Sequence, residues 1–202
     1  MSAIETNINV KIAYTIGHSN HSLEYFFELV KRYNIINIVD VRSYPFSKYA
    51  FQFNFDNLKH TINDIGFRYL FLGDQLGGRP ESPEFYDENG FVLYDKLAES
   101  SNFKRGIEAL EIAIEQNLTV ILCSEENPIN CHRRLLIGNV LLLDGYYIMH
   151  IRGDGNVISE VELSKQENND EQLTLFNEVK KKAWKSSQSV LQKKGQSIFS
   201  DY

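Results

Sequence analysis

The chain holds two cysteines, Cys123 and Cys131, and both fall in the stretch TVILCSEENPINCHRRLLIGNVLLLDG from Thr119 to Gly145. His132, Arg133 and Arg134 follow the second cysteine directly, and Glu125 lies between the two. A thiol attacks as its thiolate, a form favoured by nearby positive charge or by the amino end of a helix. Two arginines and a helix start therefore suit both an activated thiol and an anionic substrate. Either cysteine is a candidate nucleophile, Glu125 is a candidate general acid or base, and His132 is a further candidate catalytic residue. The competing reading makes Cys123 a small buried residue and Cys131 an inert thiol. A thiol phosphatase or sulfurtransferase loop needs Arg six residues after Cys, and Ile129 and Ile137 stand there instead. Metal binding through Cys123, Cys131 and His132 is a further alternative. The spacing fits none of the usual zinc patterns, however, and neither a metal nor another cofactor is expected.

Other candidates stand where other apolar runs end. His18, Ser19 and Asn20 follow the run KIAYTIG, and Ser22 is a suitable cap for the helix after them. His18 is a candidate for catalysis and Ser19 and Asn20 for substrate binding, although a polar turn is expected there in any case. The run from Ile35 to Val39 has the uninterrupted apolar character of a strand buried on both faces, and it ends in Asp40 and Arg42. A carboxylate at the end of such a strand is costly unless paired. Asp40 and Arg42 therefore pair with each other or face a site, Asp40 as general acid or base and Arg42 as a phosphate contact. Six aromatics crowd the segment from Tyr44 to Phe55, which also carries Lys48 and Asn54. Such interleaving can stack nucleobases, or it can fold a loop over a core. Gly77, Gly78 and Arg79 offer close backbone approach plus a guanidinium, a weak phosphate-cradle signal lacking the lysine of a nucleotide-triphosphate loop.

Strand and helix signals alternate to bring these groups together. Strands are expected at 11–17, 35–39, 67–72, 119–122 and 146–151. Helices are expected from Leu23, over 56–65 and 103–116, and from about Leu135. In the helix over 103–116, Ile107, Leu110, Ile112, Ala113 and Ile114 are expected to face the sheet. Short connections argue for right-handed β-α-β units, hence an α/β, Rossmann-like domain with a mostly parallel sheet of about five strands. His18, Asp40, Arg42, Gly77, Gly78, Arg79, Cys123 and Arg152 then gather at one sheet edge, where such folds bind ligands.

The chain has 202 residues, 43% of them hydrophobic, enough for one core with length left over. The domain is expected over 11–155 and a polar, partly disordered or loosely helical tail over 156–202. In that tail seven acids and seven lysines cancel, so the remainder carries the net charge of -6. A general nucleic-acid coat is excluded by that balance, though a local positive groove is not. Two cysteines without a secretory leader fit a reduced cytoplasmic compartment. No run reaches the roughly 20 apolar residues of a membrane helix. One hydrophobic island interrupts the tail, Gln172, Leu173, Thr174, Leu175 and Phe176. This pentapeptide resembles the one by which bacterial replication and repair proteins dock on the DNA sliding clamp, and it would bring an acidic protein to DNA by effective concentration.

Taken together, Thr15 to Asn20, Asp40 to Ser43, Phe53-Asn54, Leu76 to Arg79, Tyr94 with Phe103 and Gly106, and Cys123-x-Glu125 followed by Cys131-His132-Arg133 form a recognisable set. In this order they closely resemble the prokaryotic domain-of-unknown-function family numbered 488, over roughly residues 12 to 152. The resemblance implies a compact α/β domain, a cytosolic prokaryotic setting and, with the clamp-like tail, DNA maintenance; it supplies no reaction. The expected function is an enzyme acting on a nucleotide or nucleic-acid base, with Arg42, Arg79 and Arg133 holding phosphate. The alternatives are a non-catalytic module tethered to the clamp and a Cys/His metal protein.

Overall fold

The computed structural model describes residues 10–171 and 184–189. Its centre is a six-stranded sheet in the order β3-β2-β4-β1-β5-β6. The strands are β1 (Ile12–Gly17), β2 (Asn37–Asp40), β3 (Arg68–Phe71), β4 (Thr119–Cys123), β5 (Tyr147–Ile151) and β6 (Val157–Ser159). The first five run parallel and β6 pairs antiparallel with β5. The expected α/β fold is present, with one strand more than the five read from the sequence.

Strand alternation divides the core in two. Ile38, Val120 and Leu122 face α1 (Leu23–Arg32) and α2 (Phe55–Asp64), where Phe26, Leu58 and Ile62 are buried. Val39 and Ile121 face the opposite layer, which includes α5 (Ser101–Gln116) and α6 (Asn139–Leu143). Ser22 caps α1 as expected, accepting from the Tyr25 N–H at 3.2 Å. In α5, Ile107, Leu110 and Ala113 are buried, but Ile112 is 55% exposed, because consecutive helical residues cannot share one face. The segment after β3 begins as the short helix α3 (Gly73–Leu76), packed against α5.

Structure continues past the expected domain end at residue 155. Beyond β6 comes α7 (Glu160–Glu171), which lacks an apolar stripe. Polar bonds hold it instead. Glu160 receives Arg134 at 2.8 Å and His150 Nε2–H at 2.8 Å, and the His150 Nδ1 takes the Thr15 hydroxyl at 2.8 Å. Burial by itself raises the Glu160 carboxyl, but the bonds from His150 and Arg134 outweigh it and hold the group at about 2. Burial keeps His150 neutral by lowering it.

Acid sensitivity follows with a definite sign. Groups held below their unfolded values contribute stability that is complete above those values and lost as pH falls. Loss of folding stability should begin below 6.5 as His18, lowered to about 4, resists its proton. It should steepen below 4.5 as Glu160 is titrated toward about 2. Thermal melts across this range check it: in Glu160→Gln the lower limb should flatten, and an unchanged limb would remove Glu160 from the account.

The C-terminal segment 184–189 returns to the domain. Trp184 Nε1–H donates to Leu135 O at 2.7 Å, and the Ser186 N–H to Val92 O at 2.9 Å. Lys185 pairs with Asp87 at 2.9 Å and lies 4.3 Å over the Phe91 ring. Residues 172–176, the clamp-like pentapeptide, lie outside the described residues.

Candidate active site at the sheet's carboxyl edge

Central strand β4 lies between β1 and β2, is buried along its length and ends at Cys123, which pairs with Gly17. From there the chain passes across the end of β1. A Cβ on Gly17 would sit 1.7 Å from the Glu125 carbonyl oxygen, so only glycine admits the crossing. His18 N–H and Ser19 N–H tie the same crossing to Cys123 O and Ser124 O at 2.9 and 2.8 Å. Gly17→Ala must therefore displace the loop. The expected cost is about 1–3 kcal/mol, read as a lower melting temperature, with loss of Cys123 reactivity; an unshifted melt would show that the crossing is soft.

Arg133 fastens this loop from beneath. Fully buried, it donates to the Glu125 and Glu126 carbonyl oxygens and, at 3.4 Å, to Thr15 Oγ1. It does not border the cavity, so it is not placed for the phosphate contact expected of it. Glu126 is in turn clamped by Arg152 at 2.9 and 3.0 Å and by the Gly153 N–H. The bond from Arg152 holds the Glu126 carboxyl at about 2.

Cys123 forms part of the wall of a cavity of about 510 Å³. His132 arrives from the turn after Cys131, its Nδ1 lying 3.7 Å from Cys123 Sγ and 3.9 Å from Cys131 Sγ. The other ring nitrogen is 3.1 Å from the Val41 carbonyl oxygen, which can only accept. The neutral ring therefore carries its proton on Nε2 and turns the Nδ1 lone pair toward the sulfurs. Gly78 packs on the same ring, where a Cβ would lie 2.7 Å from His132 Cγ.

The electrostatics separate the two thiols. Cys123 is held well below the ordinary thiol range by a hydrogen bond from Cys131 and by the charges of His132 and Arg133, which outweigh burial. Burial and the neighbouring Cys123 thiolate push Cys131 up. Burial lowers His132, but the thiolate more than offsets that and raises it. These directions favour a thiolate at Cys123 and a proton on His132, with Cys131 the thiol that resists ionisation. Among the described residues Cys123, Cys131 and His132 are also the group whose donor atoms converge enough to hold a metal ion, all within 4.8 Å of one another.

Asp40 does not stand where a general acid or base would, nor does His18 line the cavity. Asp40 is fully buried and receives Arg42 Nε–H at 2.9 Å, Arg42 Nη2–H at 2.6 Å, the Arg42 N–H at 3.1 Å and the Tyr69 hydroxyl at 2.8 Å. Its acceptor sites are consumed by neighbours. His18 stacks on Phe53 at 4.3 Å, donates Nδ1–H to Ser19 O at 2.7 Å and accepts from Arg42 Nη1 at 3.1 Å. Burial and then the Arg42 charge lower it to about 4, so it is neutral. Both groups position Arg42, which lines the cavity with N–H groups to spare.

Arg79 and Glu125 also line the cavity, exposed, and neither side chain bonds to a described residue. Gly77 backs onto Ser43, whose hydroxyl accepts the Arg79 N–H at 3.0 Å. Ser19, Asn20 and Asn54 stand away from the cavity; Asn54 accepts the Ser47 N–H at 2.6 Å and so shapes the aromatic segment. From that segment Tyr44 and Phe46, 48% and 53% exposed, reach the cavity wall, while Phe53 turns into the core.

Two contributors were not singled out as site residues from sequence. Tyr94 is 2% exposed and lines the cavity, and its hydroxyl bonds to no described residue; burial first, and then the acidic groups near it, raise it and keep it protonated. Ser186, Ser187, Gln188 and Ser189 form a polar wall. The chain's single tryptophan, standing in a polar tail, was the available signal for this return.

No membrane-crossing helix exists among the described residues. Comparison with curated proteins gives no match, and comparison with solved structures gives none either. The family described as Domain of unknown function DUF488 matches residues 22–140, which span α1, the cavity-lining residues from Arg42 to His132 and all of Cys123 to His132. By that match the chain belongs to the DUF488 family.

Proposed function

We propose that the protein is an enzyme, a hydrolase or transferase acting on a nucleotide or a nucleic-acid base through covalent attack by Cys123. The observation that carries this reading is Cys123 Sγ in the cavity wall, 3.7 Å from an imidazole nitrogen whose partner nitrogen is anchored on Val41 O. In this mechanism the thiolate attacks an electrophilic centre, and the imidazolium gives its Nδ1 proton to the leaving group. Glu125, unpaired among the described residues, activates the water or acceptor that releases the adduct. Arg79 and the spare N–H groups of Arg42 hold phosphate. Phe46, 53% exposed at the cavity wall, receives a base by stacking.

Incubation of the full chain with nucleoside monophosphates and short single strands, followed by intact-mass analysis, tests this. A substrate-derived mass should appear on the protein and vanish in Cys123→Ser, and binding should weaken in Arg79→Ala. Absence of both binding and adduct across the panel would sink the reading.

DNA maintenance as the context rests on the tail. The proposed tether is Gln172, Leu173, Leu175 and Phe176, the leucine and aromatic filling a clamp pocket while the glutamine hydrogen-bonds. Retention on immobilised sliding clamp should disappear in Leu175→Ala/Phe176→Ala; retention equal to that of the unaltered chain would reject the tether.

A further inference from the structure

A single nucleophile needs one sulfur and one base, whereas this site has two sulfurs sharing one nitrogen. Cys123 borders the cavity, and Cys131, 1% exposed, lies behind it. Both sulfurs and His132 Nδ1 fall within 4.8 Å of one another, the nitrogen almost equidistant from the two at 3.7 and 3.9 Å. The Val41 carbonyl and the face of Gly78 fix the ring so that the same nitrogen can serve either thiol. No other cysteine exists in the chain.

We propose that Cys123 and Cys131 form a peroxide-oxidised dithiol, in which Cys123 is the sulfur that a hydroperoxide oxidises and Cys131 resolves it into an intramolecular disulfide. The proposal rests on the reading of Cys123 as a thiolate nucleophile and names the oxidation that switches the same site off. In the first step the Cys123 thiolate attacks the terminal oxygen of the hydroperoxide. An S–O bond forms, the O–O bond breaks, and the leaving alkoxide, or hydroxide from hydrogen peroxide, takes the Nδ1 proton of His132. Cys123 is now a sulfenic acid and the imidazole is neutral. In the second step Cys131 gives its proton to Nδ1 and attacks the Cys123 sulfur; an S–S bond forms, the S–O bond breaks, and hydroxide leaves as water with that proton. Two thiols and one hydroperoxide become a disulfide, an alcohol or water, and water. The sulfurs, within 4.8 Å of each other, must close to about 2.05 Å. A dithiol reductant restores the thiolate by exchange.

The test uses the reduced full chain, one equivalent of hydrogen peroxide, and no substrate. Both free thiols should disappear together, with the mass of two hydrogens lost, the chain still monomeric by non-reducing electrophoresis, and full recovery with dithiothreitol. Cys131→Ser, with Cys131→Ala as a second variant should the first misfold, should stop at a sulfenic acid trapped by dimedone. Uptake of oxygen without loss of both thiols, an inter-chain disulfide, no reaction, or stoichiometric zinc that blocks oxidation would each overturn the proposal. The two readings fail separately. A disulfide in a protein that forms no nucleotide adduct removes the proposed enzyme reaction alone, and an adduct without a disulfide removes only the dithiol.

Discussion

Alkylation of Cys123 by iodoacetamide should fall far less between about pH 8 and about pH 6 than the roughly 80-fold by which an ordinary thiol loses ionised fraction over that range. The reason is the sign of the charges around it. The Cys131 hydrogen bond and the His132 and Arg133 charges outweigh burial, so the thiolate persists as pH falls through the ordinary thiol range. A pH profile within one protein is the right measurement, because a low-pKa thiolate is intrinsically the weaker nucleophile and absolute rates mix the two effects. Cys131→Ala/His132→Gln should restore the steep fall of roughly 80-fold. One equivalent of label, located on Cys123, should be taken up at the lower pH, since burial and the adjacent thiolate push Cys131 up. A wild-type rate rising with pH like that of a free thiol, or equal labelling of both cysteines, would dissolve the ion pair and with it the proposed nucleophile.

Asp40→Ala should cost about 3–5 kcal/mol of folding stability, the loss expected when one partner of a buried ion pair is removed and the other stays buried. Asp40 has 0% exposure and its Arg42 partner 5%, so water replaces the lost carboxylate poorly. The Tyr69 hydroxyl loses its acceptor as well. Against a total stability of about 5–15 kcal/mol this is a large fraction. Urea denaturation would measure it. Because Arg42 is what the deletion strands, Asp40→Ala/Arg42→Met should lose less than Asp40→Ala alone. A single-variant loss below about 1 kcal/mol, the scale of a surface pair, would contradict the geometry.

Much of the positioning was legible because it depends on local pattern. Apolar runs of four to six residues, broken by polar turns and alternating with helical periodicity, are sufficient for a parallel sheet, and a parallel sheet sends every strand exit to one edge. That argument brought Arg42, Gly78, Arg79 and Cys123 to one cavity. It could not assign roles within the edge. Asp40 and Arg42 could equally pair or face a ligand, and only their bidentate contact, with His18 and Tyr69 completing it, spends Asp40 on holding Arg42.

The sequence by itself determined the α/β class, the gathering of polar groups at the strand exits, and the two cysteines as the candidate reagents there, since hydrophobic period and residue type are properties of neighbours along the chain. The tertiary structure alone decided that His132 turns one nitrogen to both sulfurs, that Arg133 is a buried fastener, and that Tyr94 and residues 186–189 wall the cavity. Each of these depends on contacts between residues remote in the chain or on the direction of a side chain within a turn. Helix α7 followed the same rule, because its hold on the domain comes from an ion network with Arg134 and His150 that leaves no periodic trace.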